Sequence, residues 1–123
     1  MEVQLVPEMI YGKGRNIIAY HIHYSDDLEE KSLGRVELSF TDTGNMYIEN
    51  LYILEEYRGN GVATATINWI IEFGKKFGIQ FIWLMVPFIS EQAQRIYRRA
   101  GFVFLNYISD YCYKMEYQYE RTD

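Results

Sequence analysis

The sequence predicts an α/β fold in which a mixed, mostly antiparallel sheet carries a central βαβ unit. Apolar and aromatic residues alternate through the first half of the chain, the period turns helical after Arg58, and the apolar run IQFIWLMVP follows that helix. Strand, helix and strand in that order form a right-handed crossover, which leaves the strands around Ile53 and Leu84 parallel.

Val3 to Tyr11 is expected to form a first edge strand, and NIIAYHIHYS (Asn16 to Ser25) a second strand rich in β-branched and aromatic residues. GRVELSF (Gly34 to Phe40) puts Val36, Leu38 and Phe40 on one face, TDTGN turns the chain, and MYIENLYIL (Met46 to Leu54) completes an antiparallel meander. From Val62 to Phe77, Ala63, Ile67, Ile70 and Phe77 recur at helical spacing, with Ile71 and Phe73 widening the apolar stripe. Lys75 and Lys76 suit the negative end of that helix, and Gly78 stops it. Ile79 to Pro87 is nearly continuous in apolar residues, as in a strand covered on both faces. A second helix, Glu91 to Ala100, aligns Ala93, Ile96, Tyr97 and Ala100, carries Arg95, Arg98 and Arg99 near its negative end, and closes at Gly101. The tail reads as two strands around an ISD turn, with Tyr111, Tyr113, Met115 and Tyr117 alternating along the second.

A chain of 123 residues, 49% hydrophobic and 24% charged, suits one globular domain over 1–123. MEVQLVPEMI lacks the basic and apolar regions of a secretory signal, and FIWLMVPFI is too short to span a bilayer, so the expectation is a cytoplasmic protein with no membrane partner. Cys112, the only cysteine, excludes an intrachain disulfide and argues against a thiolate zinc site. His21 and His23 share a strand face, but neither a cysteine nor a carboxylate cluster completes a metal set; they read as solvated histidines, with no metal expected. A formal net charge of −5 argues against nucleic acid and towards a neutral or cationic partner. SDDLEE, Ser25 to Glu30, reads as a solvated loop that could also steer a cation.

Arg58-Gly59-Asn60-Gly61 stands where a strand ends and a helix begins, with no Ser, Thr or Asp placed to cap the helix. It fits a plain strand-to-helix turn, and it also fits an anion cradle made by the free amides of Gly59 through Ala63, the positive helix end and Arg58. It is not a Walker loop, because no Gly-Lys-Ser/Thr follows.

Arg58-Gly59-Asn60-Gly61-Val62-Ala63 resembles the acyl-CoA signature Arg/Gln-x-x-Gly-x-Gly/Ala of the GCN5-related N-acetyltransferase (GNAT) superfamily. SEQAQRIYRRAGF, Ser90 to Phe102, resembles that family's second block, Asn-x-x-Ala-x-x-Leu-Tyr-x-x-x-Gly-Phe, with Ala93, Ile96, Tyr97, Gly101 and Phe102 in register. The resemblance covers about Gly34 to the C-terminus and implies an acyl-CoA N-acyltransferase fold with acetyl-CoA as co-substrate and an amine acceptor as partner. It implies cofactor contacts along Arg58 to Thr64 (Gly59, Asn60, Gly61, Val62 and Ala63 between them) and at Leu51, Tyr52, Ile53, Ser90 and Tyr97. By the same resemblance the Leu51 amide polarises the thioester carbonyl and Tyr97 protonates the departing thiolate. Glu49, two residues before Leu51 and on the face of Tyr47, takes the place of a base, though an outward strand residue would look the same.

Two departures stand out. Ser90 replaces the family's usual Asn, and can act on the cofactor or as a helix cap. Only GKGR separates Tyr11 from Asn16, where the family places two helices that wall the acceptor site; this side is expected to be open or completed by a partner. Two alternatives to catalysis follow: an acyl-CoA-binding module without turnover, and an interaction protein whose strand YCYKMEYQY makes a homodimer edge.

Overall fold

The computed structural model describes residues 1–8, 16–27 and 31–120. Its strands are β1 (Val3–Pro7), β2 (Ile17–Tyr24), β3 (Gly34–Phe40), β4 (Met46–Ile53), β5 (Phe81–Pro87), β6 (Val103–Tyr107) and β7 (Cys112–Gln118). A 3-10 turn at Glu55–Tyr57 leads to helix α1 (Val62–Lys76), and α2 (Glu91–Ala100) follows β5. The strands form one sheet in the order β1-β2-β3-β4-β5-β7-β6, antiparallel throughout except at β4 and β5. This is the mixed α/β architecture the periodicities predict. Tyr11, the segment Gly12 to Arg15 and the acidic Glu29 and Glu30 lie outside the described residues.

Alternation decides which sheet face is dry. Ile22, Val36, Leu38, Met46, Ile48, Ile82, Leu84, Val86 and Met115 point one way and are at most 5% exposed. Against them pack Val62, Ile67, Ile70 and Ile71 of α1 and, less deeply, Ala93, Ile96, Tyr97 and Ala100 of α2. Each such aliphatic side chain contributes about 1.5–3 kcal/mol on leaving water. Two members of the α1 stripe escape hydrophobic periodicity. Thr66 is fully buried because its hydroxyl donates to the Val62 carbonyl at 2.8 Å. Gly74 is buried because Tyr119 lies across it, donating its hydroxyl to the Ile71 carbonyl at 2.6 Å.

Several expectations need correction. Phe77 is the C-cap of α1 and is 70% exposed, since the stripe has turned away from the sheet by then; it leans on Phe73, ring centroids 4.7 Å apart. β5 is covered on one face only: Met85 is half exposed, and the apolar run comes from an aromatic row on the open face. Tyr111 precedes β7 and is 81% exposed in the turn. YCYKMEYQY is no sheet edge, because β7 runs between β5 and β6. His23 is buried rather than solvated, and His21 Nε2 lies 2.9 Å from Glu8 Oε1. The parallel ladder joins Met46 and Tyr47 to Ile82 and Trp83; Ile53 lies beyond it, where the two strands have parted.

The open face is polar and aromatic. Arg35 clamps Glu8 from Nε at 2.7 Å and reaches Glu37 at 2.9 Å, and its hydrogen bond holds the Glu8 carboxyl below the usual range. Near the β4–β5 ladder, the Lys114 ammonium lies 4.1 Å from the Trp83 ring centroid and donates to the Tyr47 hydroxyl at 2.9 Å. The Trp83 indole donates to Glu116 at 2.8 Å.

One close approach fixes how β3 meets the end of β4: a Cβ on Gly34 would run into the carbonyl of Tyr52 and the Cα of Ile53, both backbone atoms. Gly34→Ala is therefore expected to cost about 2 kcal/mol, read as a lower urea midpoint. Gly44→Ala, at φ +83 with open space around it, is expected to lose only about 1 kcal/mol.

Candidate active site

β4 does not stay regular to its end. Glu49 pairs with Glu37 and Tyr52 with Arg35, so β4 spends one residue more than β3 between those pairs. Asn50, at φ +51, absorbs the extra residue as a bulge. The alternation is thereby reset: Leu51 and Ile53 turn towards the core side, whereas Glu49 stays with Tyr47 on the open face. Beyond the two-residue ladder the β5-facing edge of β4 has no strand beside it.

At the mouth of that gap the chain folds back into α1. The Arg58 Nε donates to the Ile53 carbonyl at 2.8 Å and its guanidinium lies 5.0 Å from the Tyr52 ring centroid, which pins the turn to the strand it has just left. Gly59 and Gly61 have φ of 78° and 80°, and a Cβ on either would meet no protein atom. Glycine is needed there for the backbone angle, and the space above stays open. Gly61 is the N-cap, without a side-chain capping bond; the first helical bond runs from the Ala65 amide to the Gly61 carbonyl. The amides of Val62, Ala63 and Thr64 consequently have no acceptor within the helix.

A groove of about 950 Å³ runs between these amides, the end of β4 and the start of α2. Its volume suits a small-molecule site. Leu51, Tyr52 and Ile53 line it from β4, and Arg58, Gly59, Gly61, Val62, Ala63 and Thr64 from the loop and α1. Ser90 and Tyr97 line it from the α2 side. Two candidates lie elsewhere. Asn60 turns its amide back to the carbonyls of Tyr57 and Arg58, at 3.4 and 3.3 Å, and braces the turn. Glu49 is not among the lining residues, because the bulge separates its face from that of Leu51.

Ser90 stands at the N-cap of α2, yet its hydroxyl caps nothing. Gln94 donates to the carbonyls of Pro87 and Phe88, which ties the first turn of α2 to the end of β5, and Ser90 lines the groove beside them. Tyr97 is largely enclosed beside Phe102, ring centroids 6.0 Å apart, and burial raises its phenol above the ordinary value. It therefore stays protonated through neutral pH, as a proton donor must.

Arg95 and Arg99 also line the groove, beyond the role of dipole partners expected of them. They recur one helical turn apart, a spacing that places both on one face of α2. With Arg58 they give a groove on an acidic chain three arginines among its lining residues, set against one carboxylate, Glu91. Such a site can hold an extended ligand by the unpaired strand edge and its anionic end by the loop amides.

The acetyltransferase (GNAT) family profile matches residues 9–102. An uncharacterized N-acetyltransferase of Methanocaldococcus jannaschii is 27% identical over 93 residues, 76% of this chain and 36% of that protein. One of Mycobacterium tuberculosis is 31% identical over 61 residues, half of this chain and 39% of the relative. The chain thus spans well under half the length of these curated relatives. Among solved structures, an IAA acetyltransferase of Bacillus cereus superposes with a TM-score of 0.75 at 14% identity, covering 95% of this chain and 98% of the other. A Bacillus subtilis acetyltransferase in complex with CoA gives 0.74 at 13%, covering 95% and 100%. A Bacillus anthracis protein in complex with acetyl coenzyme A gives 0.71 at 22%, covering 92% and 70%. At these identities the structural likeness speaks to the fold.

Inorganic pyrophosphate is expected to shift the amide resonances of Gly59, Gly61, Val62, Ala63 and Thr64 in a heteronuclear NMR titration. The double variant Arg95→Ala/Arg99→Ala should bind it roughly thirtyfold more weakly or worse, each lost charge-assisted contact counting for about 1 kcal/mol or more.

Proposed function

The chain belongs to the acetyltransferase (GNAT) family, and from that premise we propose that it moves an acetyl group from acetyl-CoA to a primary amine of a small molecule, peptide or protein by direct transfer. The observation that carries the reading is the groove at the parted end of β4, lined by unpaired loop amides, by arginines and by a half-buried tyrosine. In this reading residues 1–123 work as one cytoplasmic domain, and the pyrophosphate of the co-substrate lies on the amides from Gly59 to Thr64, with Arg58, Arg95 and Arg99 offsetting its charge.

The pantetheine arm would run along Leu51, Tyr52 and Ile53 as an added strand, and Ser90 would reach it from α2. The Leu51 amide would polarise the thioester carbonyl. The amine nitrogen attacks that carbon, the carbon–sulfur bond breaks, and the Tyr97 hydroxyl gives its proton to the departing sulfur. The nitrogen loses a proton to water or, through water, to Glu49 on the open face. Both substrates are present together, and no covalent enzyme intermediate forms.

One observation favours a second reading, acyl-CoA binding without turnover: Glu49, the nominated base, does not line the groove. Calorimetric titration with acetyl-CoA separates binding from chemistry. Wild type is expected to bind, and Gly61→Glu, which puts a negative side chain into the open space over the loop, to lose binding while its circular dichroism stays that of a folded protein. Loss in neither would reduce the loop to a turn.

With an amine panel, wild type should form acetylated product, whereas the second reading expects binding and no product. Tyr97→Phe is expected to lower kcat by about 10²–10⁴-fold with acetyl-CoA affinity nearly unchanged. Because burial raises the Tyr97 phenol, activity should show no Tyr97-dependent loss until above its ordinary value near pH 10.

A further inference from the structure

Past the two-residue ladder, the end of β4 has a strand neighbour on one side only. On that side Glu37 pairs with Glu49 and Arg35 with Tyr52, so Asn50 and Leu51 together stand opposite Val36. Two residues against one leave Leu51 without a cross-strand partner of its own, and the direction of its amide follows from the backbone angles of Asn50, at φ +51. That conformation is costly for a residue with a Cβ; asparagine reaches it more readily than most because its short side chain can hydrogen-bond locally. Here the bond goes to Glu37. Asn50 Nδ2 donates to Glu37 Oε1 at 3.4 Å, and Arg35 Nη1 donates to the same oxygen at 2.9 Å. Arg35 is itself anchored, since its Nε and Nη2 donate to the two carboxylate oxygens of Glu8 at 2.7 and 3.2 Å.

Building on the role proposed above for the Leu51 amide, we infer that Glu37, fixed by Arg35, is a positioning residue of the transfer site: it holds Asn50 in its left-handed conformation and thereby aims the Leu51 amide at the thioester carbonyl. Stability alone does not account for the arrangement. Glu37 stands directly across from Glu49, and like charges at paired positions repel. The ion pair with Arg35 offsets that repulsion, but with side chains 43% and 21% exposed it adds little to folding. Its consequence lies in geometry, because the Glu37 oxygen that Arg35 holds is the one that receives the Asn50 side chain. A second clamp works from the other end of the segment, where the Arg58 guanidinium lies on the Tyr52 ring and its Nε holds the Ile53 carbonyl. The parted strand is thus fixed on both sides of Leu51, and the clamp at Asn50 is the one that decides where the Leu51 amide points.

Residual dipolar couplings of the backbone N–H bonds read direction without needing turnover. The Leu51 coupling should change in Glu37→Leu and in Asn50→Gly, which tolerates the backbone angle but removes the side chain, while the couplings of Met46 and Ile48, in the paired part of β4, stay as in wild type. With acetyl-CoA and an amine acceptor, both variants should lower kcat on the order of tenfold to a hundredfold, with acetyl-CoA affinity by calorimetry nearly unchanged. Glu37→Gln, which keeps an acceptor oxygen for Asn50 and Arg35, should recover most of the loss. If Glu37→Leu fails to fold, Asn50→Gly decides the matter. A Leu51 coupling unmoved in the folded variants, a kcat equal to that of wild type, or Glu37→Gln as slow as Glu37→Leu would overturn the inference. If wild type forms no product, it is the acetyl-transfer reading that fails, and a moved or unmoved Leu51 coupling still upholds or overturns the clamp.

Discussion

The parallel pairing of β4 and β5 lasts only two residues, Met46 and Tyr47 against Ile82 and Trp83, and the groove exists because it stops there. Had the ladder continued, the edge of β4 from Glu49 to Ile53 would be saturated by β5. The Asn50 bulge takes up one residue against β3 and redirects Leu51 and Ile53, while Gly34 lets the backbone of β3 come close enough to hold the parted end of β4 in place. The turn into α1 then needs two residues with positive φ, and it delivers the free helix amides to the gap.

The two faces of the sheet divide the work. One face with two helices holds the core, built mainly from apolar side chains in register. The other, over β2 to β4, carries Glu8, His21, Arg35 and Glu37 in a chain of hydrogen bonds and ion pairs, which a packed helix would have to desolvate.

Much of this was legible in the residues because period and punctuation coincide. α2 runs from Glu91 to Ala100 and β3 from Gly34 to Phe40, as their apolar spacing and flanking glycines indicate. The loop from Arg58 to Gly61 was recognisable because glycine, a missing cap and a change of period coincide there. Less legible were the features that depend on neighbours. Thr66 and Gly74 enter the core through a back-bonded hydroxyl and an overlying tyrosine, which periodicity does not register. The separation of Glu49 from Leu51 follows from a bulge that only the pairing with β3 defines. The place of Arg95 and Arg99 in the groove lining was hidden because helix-end cations have a sufficient explanation in the dipole.

Where the ladder ends, Lys114 of β7 reaches across Trp83 of β5 to the hydroxyl of Tyr47 on β4, so a side chain rivets three strands together at the last paired residues. In mechanical terms this is a pivot. The two strands resemble scissor blades pinned at one end, with the gap opening beyond the pin. Any rotation between the strands at Tyr47 and Trp83 is magnified with distance along β4 and is largest at its end, Ile53.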